Sequence, residues 1–196
     1  MPDSSREWKP TPEAEGLYRR WLAYLNDQFM HNQGAEQRAE VVRDELHQIY
    51  LGRPHAGKTA AALTTELATR VLTETFDPSN ASVGLDPGPG VDMEKYAPRR
   101  PLIWFWQMFD RSPLGLNHWL GHRFRCMLGH HIFTRIGKGV KIGPDVRFRL
   151  GYNITIEDNC TICRGVVLED AQPLVIPAGT RVEEGQRLPR QLAFGI

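Results

Sequence analysis

The sequence predicts an α+β protein: a helical N-terminal region followed by a short parallel β-helix of about three coils. Three observations predict it. Apolar residues recur at three- and four-residue steps through the first 76 positions and at six-residue steps after Thr134. A Pro/Gly-rich span and an aromatic segment separate the two patterns. The expected organisation is therefore a helical region over 1–76, a linker over 77–101, an aromatic helical cap over 102–133 and a β-helix over 134–196.

In the first region Leu17, Trp21, Tyr24, Leu25 and Phe29 share a helix face, as do Val42, Leu46, Ile49 and Tyr50 on a second helix. Breaks fall at 32–34 and 52–57. A third helix is expected from Thr59 to Phe76, with Leu63, Leu67, Val71 and Leu72 on its apolar side. Five prolines and three glycines between 77 and 101 argue for a loop or linker rather than part of a core. The aromatic segment reads as two short helices split near Ser112 and Pro113. The first coil of a β-helix exposes an apolar end and unpaired strand groups, so Trp104, Phe105, Trp106, Phe109, Trp119 and Phe124 are expected to cover it or to form a partner interface. Together with Arg99, Arg100, Arg111, Arg123 and Arg125, the same rings could instead rest on a membrane surface.

From Thr134 the period is six. Ile136, Ile142, Phe148, Ile156, Ile162, Leu168, Ile176 and Val182 are separated by steps of 6, 6, 8, 6, 6, 8 and 6. On an extended segment each shares its side with the residue two before it, so both point into the interior of a prism. Three residues after each comes a corner: Gly139, Asp145, Gly151, Asn159, Gly165, Ala171, Gly179 and Gly185. A left-handed backbone is least costly for Gly, then Asn and Asp, and seven of the eight corners are of these types. Both eight-residue steps fall at the third corner, giving a 20-residue coil that returns at Ile136, Ile156 and Ile176.

Composition excludes several classes. With 24 Lys+Arg against 23 Asp+Glu, the chain has no broad field for nucleic acid. Three cysteines form no disulfide framework, which fits a reducing cytoplasm. The N-terminal residues lack the apolar core of a signal peptide, and the apolar stretch from Leu102 to Phe109 is far short of the ~20 residues that span a bilayer. The expected location is cytoplasmic, with contact at the inner membrane surface left open.

Two motifs have ordinary explanations. Gly52 to Thr59 satisfies the phosphate-binding loop pattern, but Val41 to Leu51 reads as helix where that loop needs a buried strand. An interhelical turn with Thr59 as a cap explains the same residues. His118, His122, His130 and His131 lie close together, yet no Cys-x-x-Cys or carboxylate stands at ligand spacing, and no metal is expected.

The stretch GYNITIEDNCTICRGVVLEDAQPLVIPAGT, from Gly151 to Thr180, resembles the hexapeptide-repeat sugar O-acetyltransferases of the maltose and galactoside acetyltransferase group. The preceding RCMLGHHIFTRIGKGVKIGPDVRFRLGYN is similar to the acetyltransferases of polysaccharide biosynthesis related to colanic acid synthesis. The resemblance covers about the last third of the chain. It implies a left-handed winding, a homotrimer, and acetyl-CoA or another acyl-CoA lying between neighbouring prisms. It also implies a histidine base acting on an acceptor hydroxyl of a sugar or lipid-linked molecule. Carried over by position, Asn153 and Asp170 become substrate-binding residues, and Cys163 stands where a sugar-contacting Asn is expected. The catalytic His falls at Ala193. His130 and His131 remain as candidate bases, with His118 and His122 the other histidines a trimer neighbour could supply, all four expected at the far end of the prism. The reading is an acyltransferase-like protein with lost catalysis, serving as a trimeric assembly module that binds a partner through residues 1–133; the alternative is an active CoA-dependent O-acyltransferase.

Overall fold

A computed structural model describes residues 9–55, 66–83 and 88–189. Helix α1 (Pro12–His31) starts at Thr11, whose hydroxyl accepts the Ala14 N–H at 3.3 Å. Helix α2 (Ala35–Leu51) stops at Gly52, which turns left-handed at φ 67° and donates its N–H to the Gln48 carbonyl. Helices α3 (Leu67–Thr75) and α4 (Met93–Tyr96) are short. Helices α5 (Arg100–Arg111) and α6 (His118–Ile132) carry the aromatic segment, separated by a 3-10 turn at Pro113–Leu116. Ser112 caps that turn and Asn117 caps α6, accepting the Leu120 N–H at 3.0 Å.

Among the described residues nine short strands follow: β1 (Arg135–Ile136), β2 (Lys141–Ile142), β3 (Arg147–Phe148), β4 (Ile154–Ile156), β5 (Thr161–Ile162), β6 (Val167–Leu168), β7 (Leu174–Ile176), β8 (Arg181–Val182) and β9 (Arg187–Leu188). They form three parallel sheets in the orders β1-β4-β7, β2-β5-β8 and β3-β6-β9, one strand per sheet in each turn of chain. This is a β-helix-like arrangement. Ile136, Ile156 and Ile176 pair in register, as do Ile142, Ile162 and Val182, and Phe148, Leu168 and Leu188. The inward columns of the second coil, including Ile154, Cys160 and Val166, are wholly buried. All seven Gly, Asp and Asn corners adopt positive φ, with Asp145 and Asn159 both at 58°. Ala171, at the eighth, does not.

The third corner, where the chain holds two extra residues, has its own fastening. Asp170 accepts the backbone N–H groups of Arg149, Leu150 and Gly151 from the coil before, at 2.8, 3.0 and 2.6 Å. Asn153 donates its side-chain amide to the Asp170 carbonyl at 2.9 Å. One carboxylate thus satisfies three turn donors that no strand could reach.

The cap packs directly on the first coil. Phe133 and Trp106 meet Phe148 edge-on, with ring centroids 4.9 and 5.3 Å away. Gly129 of α6 admits the Ile136 side chain so closely that a Cβ there would lie 2.4 Å from Ile136 Cδ1. The aromatic residues of the segment are buried, and one continuous core runs from Leu22 of α1 to Val182 of β8. These rings therefore serve internal packing. Among the described residues no helix is long and apolar enough to cross a membrane.

Three sequence expectations change. In α1 the buried face is Leu22, Leu25 and Phe29, whereas Leu17 is exposed, because the helix lies against α6 on that side. Leu67, Val71 and Leu72 of α3 are exposed, while Thr73 and Phe76 turn inward; the part of that predicted helix over 59–65 lies outside the described residues. The Pro/Gly-rich span is no bare spacer, since Val83 and Tyr96 belong to the core and Arg100 donates to the Ala81 carbonyl at 2.9 Å. The phosphate-loop pattern follows helix α2 and not a strand, and its last residues, 56–59, lie outside the described residues.

If the stacked column holds the coil, Ile156→Ala lowers stability by about 2–5 kcal/mol in urea denaturation. The outward Val175→Ala on β7 shifts it by no more than about 0.5 kcal/mol. Equal effects would contradict the packing described.

Candidate functional site

A cleft of about 600 Å³ lies between helix α6 and the outer face of sheet β2-β5-β8. The sheet contributes Lys141, Thr161 and Arg181, which the register stacks one above another. The corners after these strands add Asp145, Cys163, Arg164 and Glu184. From the helix side come His118, His122 and Arg125, with Asp110 from α5.

The strand edge explains how the histidine is set. Lys141 and Gly143 donate to the Cys160 and Ile162 carbonyls at 2.9 and 2.8 Å. Ile142, between them, turns its carbonyl the other way, beyond the edge of the sheet, where no earlier coil stands. His122 meets that carbonyl with Nδ1 at 2.8 Å. A carbonyl only accepts, so Nδ1 carries the proton and Nε2 holds the lone pair. Burial, with smaller contributions from His118, Arg125 and Lys141, pushes the His122 pKa down to about 4 despite the bond to Ile142. The ring is neutral near pH 7 and fixed in one tautomer. His118 stands edge-on to it, with centroids 4.6 Å apart.

Beneath His122, Arg125 and Asp110 form a buried ion pair, with Nε and Nη2 of Arg125 on Asp110 Oδ1 at 2.8 and 2.5 Å. Asp110 Oδ2 accepts the N–H of Asp145, the corner residue of the first coil, at 3.0 Å. Arg125 also reaches the Gly115 carbonyl at 3.3 Å. The pair consequently ties α5, α6 and the first coil together. Cys126 donates its thiol to the Val140 carbonyl at 3.2 Å, and burial pushes its pKa up to about 11, so it remains a thiol.

Two of the histidines expected at the far end of the prism stand at its first coil, where His122 bonds the Ile142 carbonyl. His118 and His122 lie along its flank, and the cleft beside them runs from the first coil to Arg181 and Glu184 of the third. Capping requires α6 to lean over the edge strand β2, and that lean brings the pair to the sheet. His130 is exposed, and His131 packs α6 on α1 through Asn26 Oδ1, 3.0 Å from Nε2, and the Phe29 ring; neither lines the cleft. Asp170 is fully buried with both oxygens accepting backbone N–H groups, so its carboxylate holds a corner of the coil. Asn153 borders a separate hollow of about 290 Å³ with Tyr152, Arg149 and Gln172. Cys163 does line the main cleft. Ala193 lies outside the described residues. Among the described residues no group of three or more His, Cys, Asp or Glu side chains is arranged to hold a metal. His122 is the residue that sequence reasoning undervalued, and its four-residue spacing from His118 was the available signal.

No family model matches the chain, and no curated protein or solved structure matches it.

Asp110→Asn leaves Arg125 buried without a counter-charge and lowers stability by about 3–5 kcal/mol in urea denaturation. A loss under about 1 kcal/mol would mean that the cap is held by apolar contacts alone. The histidines give a pH dependence as well. His47, His122 and His131 have folded pKa values near 4 against an ordinary 6.5, so between these limits the unfolded chain binds more protons. Their contribution is complete above pH 6.5 and is lost as pH falls toward about 4. Thermal midpoints measured across that window should drop, less steeply in His122→Gln; a flat profile contradicts the assignment.

Proposed function

We propose that the protein is an acyltransferase-type hexapeptide-repeat protein, wound left-handed and assembled as a homotrimer, that transfers an acyl group to a hydroxyl of a sugar or lipid-linked acceptor in the α6 cleft. The observation that carries this reading is His122: a neutral imidazole, oriented by the Ile142 carbonyl, with its Nε2 lone pair available beside a cleft large enough for a substrate. The resemblance of residues 151–180 to sugar O-acetyltransferases supplies the reaction class. Acetyl-CoA or another acyl-CoA would supply the activated acyl thioester. The residues present fit such a group, since Lys141, Arg164 and Arg181 stand in the cleft wall where they would meet phosphates, although Arg181 now pairs with Glu183 at 3.0 Å and Arg164 lies 4.0 Å from Asp145. His122 would take the proton of the acceptor hydroxyl as that oxygen bonds to the thioester carbonyl carbon, and would pass it to the CoA sulfur released when the C–S bond breaks. Three free cysteines accord with a reducing cytoplasm.

A second reading is non-catalytic, with the coils as an assembly module and residues 1–133 binding a partner. What favours it is Ala193 at the position where the related acetyltransferases carry their base, with Cys163 in place of a sugar-contacting Asn.

Calorimetry with acetyl-CoA separates the two. Micromolar binding by the chain supports the first reading. His122→Gln should then keep that binding and lose about 10²–10⁴-fold in release of free CoA thiol with a hydroxyl acceptor. Absence of acetyl-CoA binding would support the second reading, whereas turnover unchanged in the variant would remove His122 from the role of base.

A further inference from the structure

A second cleft, of about 450 Å³, opens between α1, α2 and the 3-10 turn after α5, with Trp21, Tyr24, Glu45, Gln48 and Leu114 in its walls. Its chemistry differs from that of the α6 cleft. Glu45 is only 4% exposed, and Oε2 accepts the Trp21 Nε1–H at 3.0 Å. Among the described residues no Lys, Arg or His pairs with it, and its charged neighbour Asp44 has the same sign. Burial therefore pushes its pKa above the ordinary carboxylate range. A buried carboxylate lacking a cation is costly, and a cation arriving in the cleft would offset that cost.

The walls indicate which cation. Trp21 is held in place by Phe124, whose ring lies nearly parallel at 5.9 Å, and by Phe109 at 6.3 Å. Tyr24 stands half exposed at the rim. Two electron-rich rings flanking one carboxylate suit an organic ammonium, whose charge faces the rings and whose carbon substituents contact them. A divalent metal does not fit, because Ca²⁺ or Mg²⁺ requires about six oxygens and the lining side chains offer one carboxylate, one amide and one phenol.

We propose that this cleft binds a small alkylated ammonium ion, with Glu45 as counter-charge and the Trp21 and Tyr24 rings as its walls. The site is separate from the acyl-transfer reading and stands whether or not that reading holds.

Titration of the full-length chain with tetramethylammonium chloride, followed by calorimetry and by NMR of the tryptophan indole N–H signals, tests it. Saturable binding is expected, with potassium chloride at the same ionic strength giving none. Glu45→Gln retains an acceptor for Trp21 and the same shape, and should bind at least about tenfold more weakly. Tyr24→Leu, at the exposed rim, should weaken binding without unfolding the chain, as circular dichroism would show. Non-saturable behaviour, or equal affinity in Glu45→Gln, would overturn the proposal.

Discussion

A stack of parallel strands has two ends, and the backbone of the first coil must find partners that no previous coil provides. In this protein helices α5 and α6 supply them. His122 takes the Ile142 carbonyl, Cys126 takes the Val140 carbonyl, and Asp110, held by Arg125, takes the Asp145 N–H. A buried backbone group left without a partner costs about 1–3 kcal/mol. A handful of them would rival the whole stability of a domain, about 5–15 kcal/mol. The cap is therefore a condition of the coil's existence, and the aromatic packing of Trp106 and Phe133 on Phe148 is arranged around that requirement.

The same hydrogen bond has a chemical effect. An exposed histidine samples both tautomers and titrates near neutrality. The Ile142 carbonyl removes the first freedom and burial removes the second, leaving a neutral ring with a single open nitrogen. Because α6 must approach the edge strand to cap it, the ring arrives next to the outer face of β2-β5-β8, where Lys141, Thr161 and Arg181 are stacked. Structural closure and a basic site are two results of one contact.

The coil was legible in the sequence because its rules are local. A residue at every sixth position and a Gly, Asn or Asp three residues later are fixed by strand alternation and corner geometry, so the stacking of Ile136, Ile156 and Ile176 could be read without tertiary knowledge. The break between α5 and α6 at Ser112 and Pro113 was legible for the same reason. What escaped depends on docking. Leu22 and Leu17 are both apolar, and only the position of α6 decides which is buried. Asp170 read as a ligand contact because its use by three donors of the preceding coil appears only when coils are stacked. His122 carried no marker beyond its spacing from His118, since the carbonyl that orients it is 20 residues away in sequence.

A repeat stack joined only by nearest-neighbour contacts behaves as a one-dimensional chain of units, able to melt from either terminus one rung at a time. The continuous core through α1, α5, α6 and the coils alters that behaviour at one terminus. Peeling the first rung means extracting a buried guanidinium–carboxylate pair and re-exposing three orphan backbone groups together, so the helical half and the first rung melt as one cooperative unit. Slow amide exchange should accordingly be concentrated there, giving the solenoid a polarity of rigidity that its repeats alone do not possess.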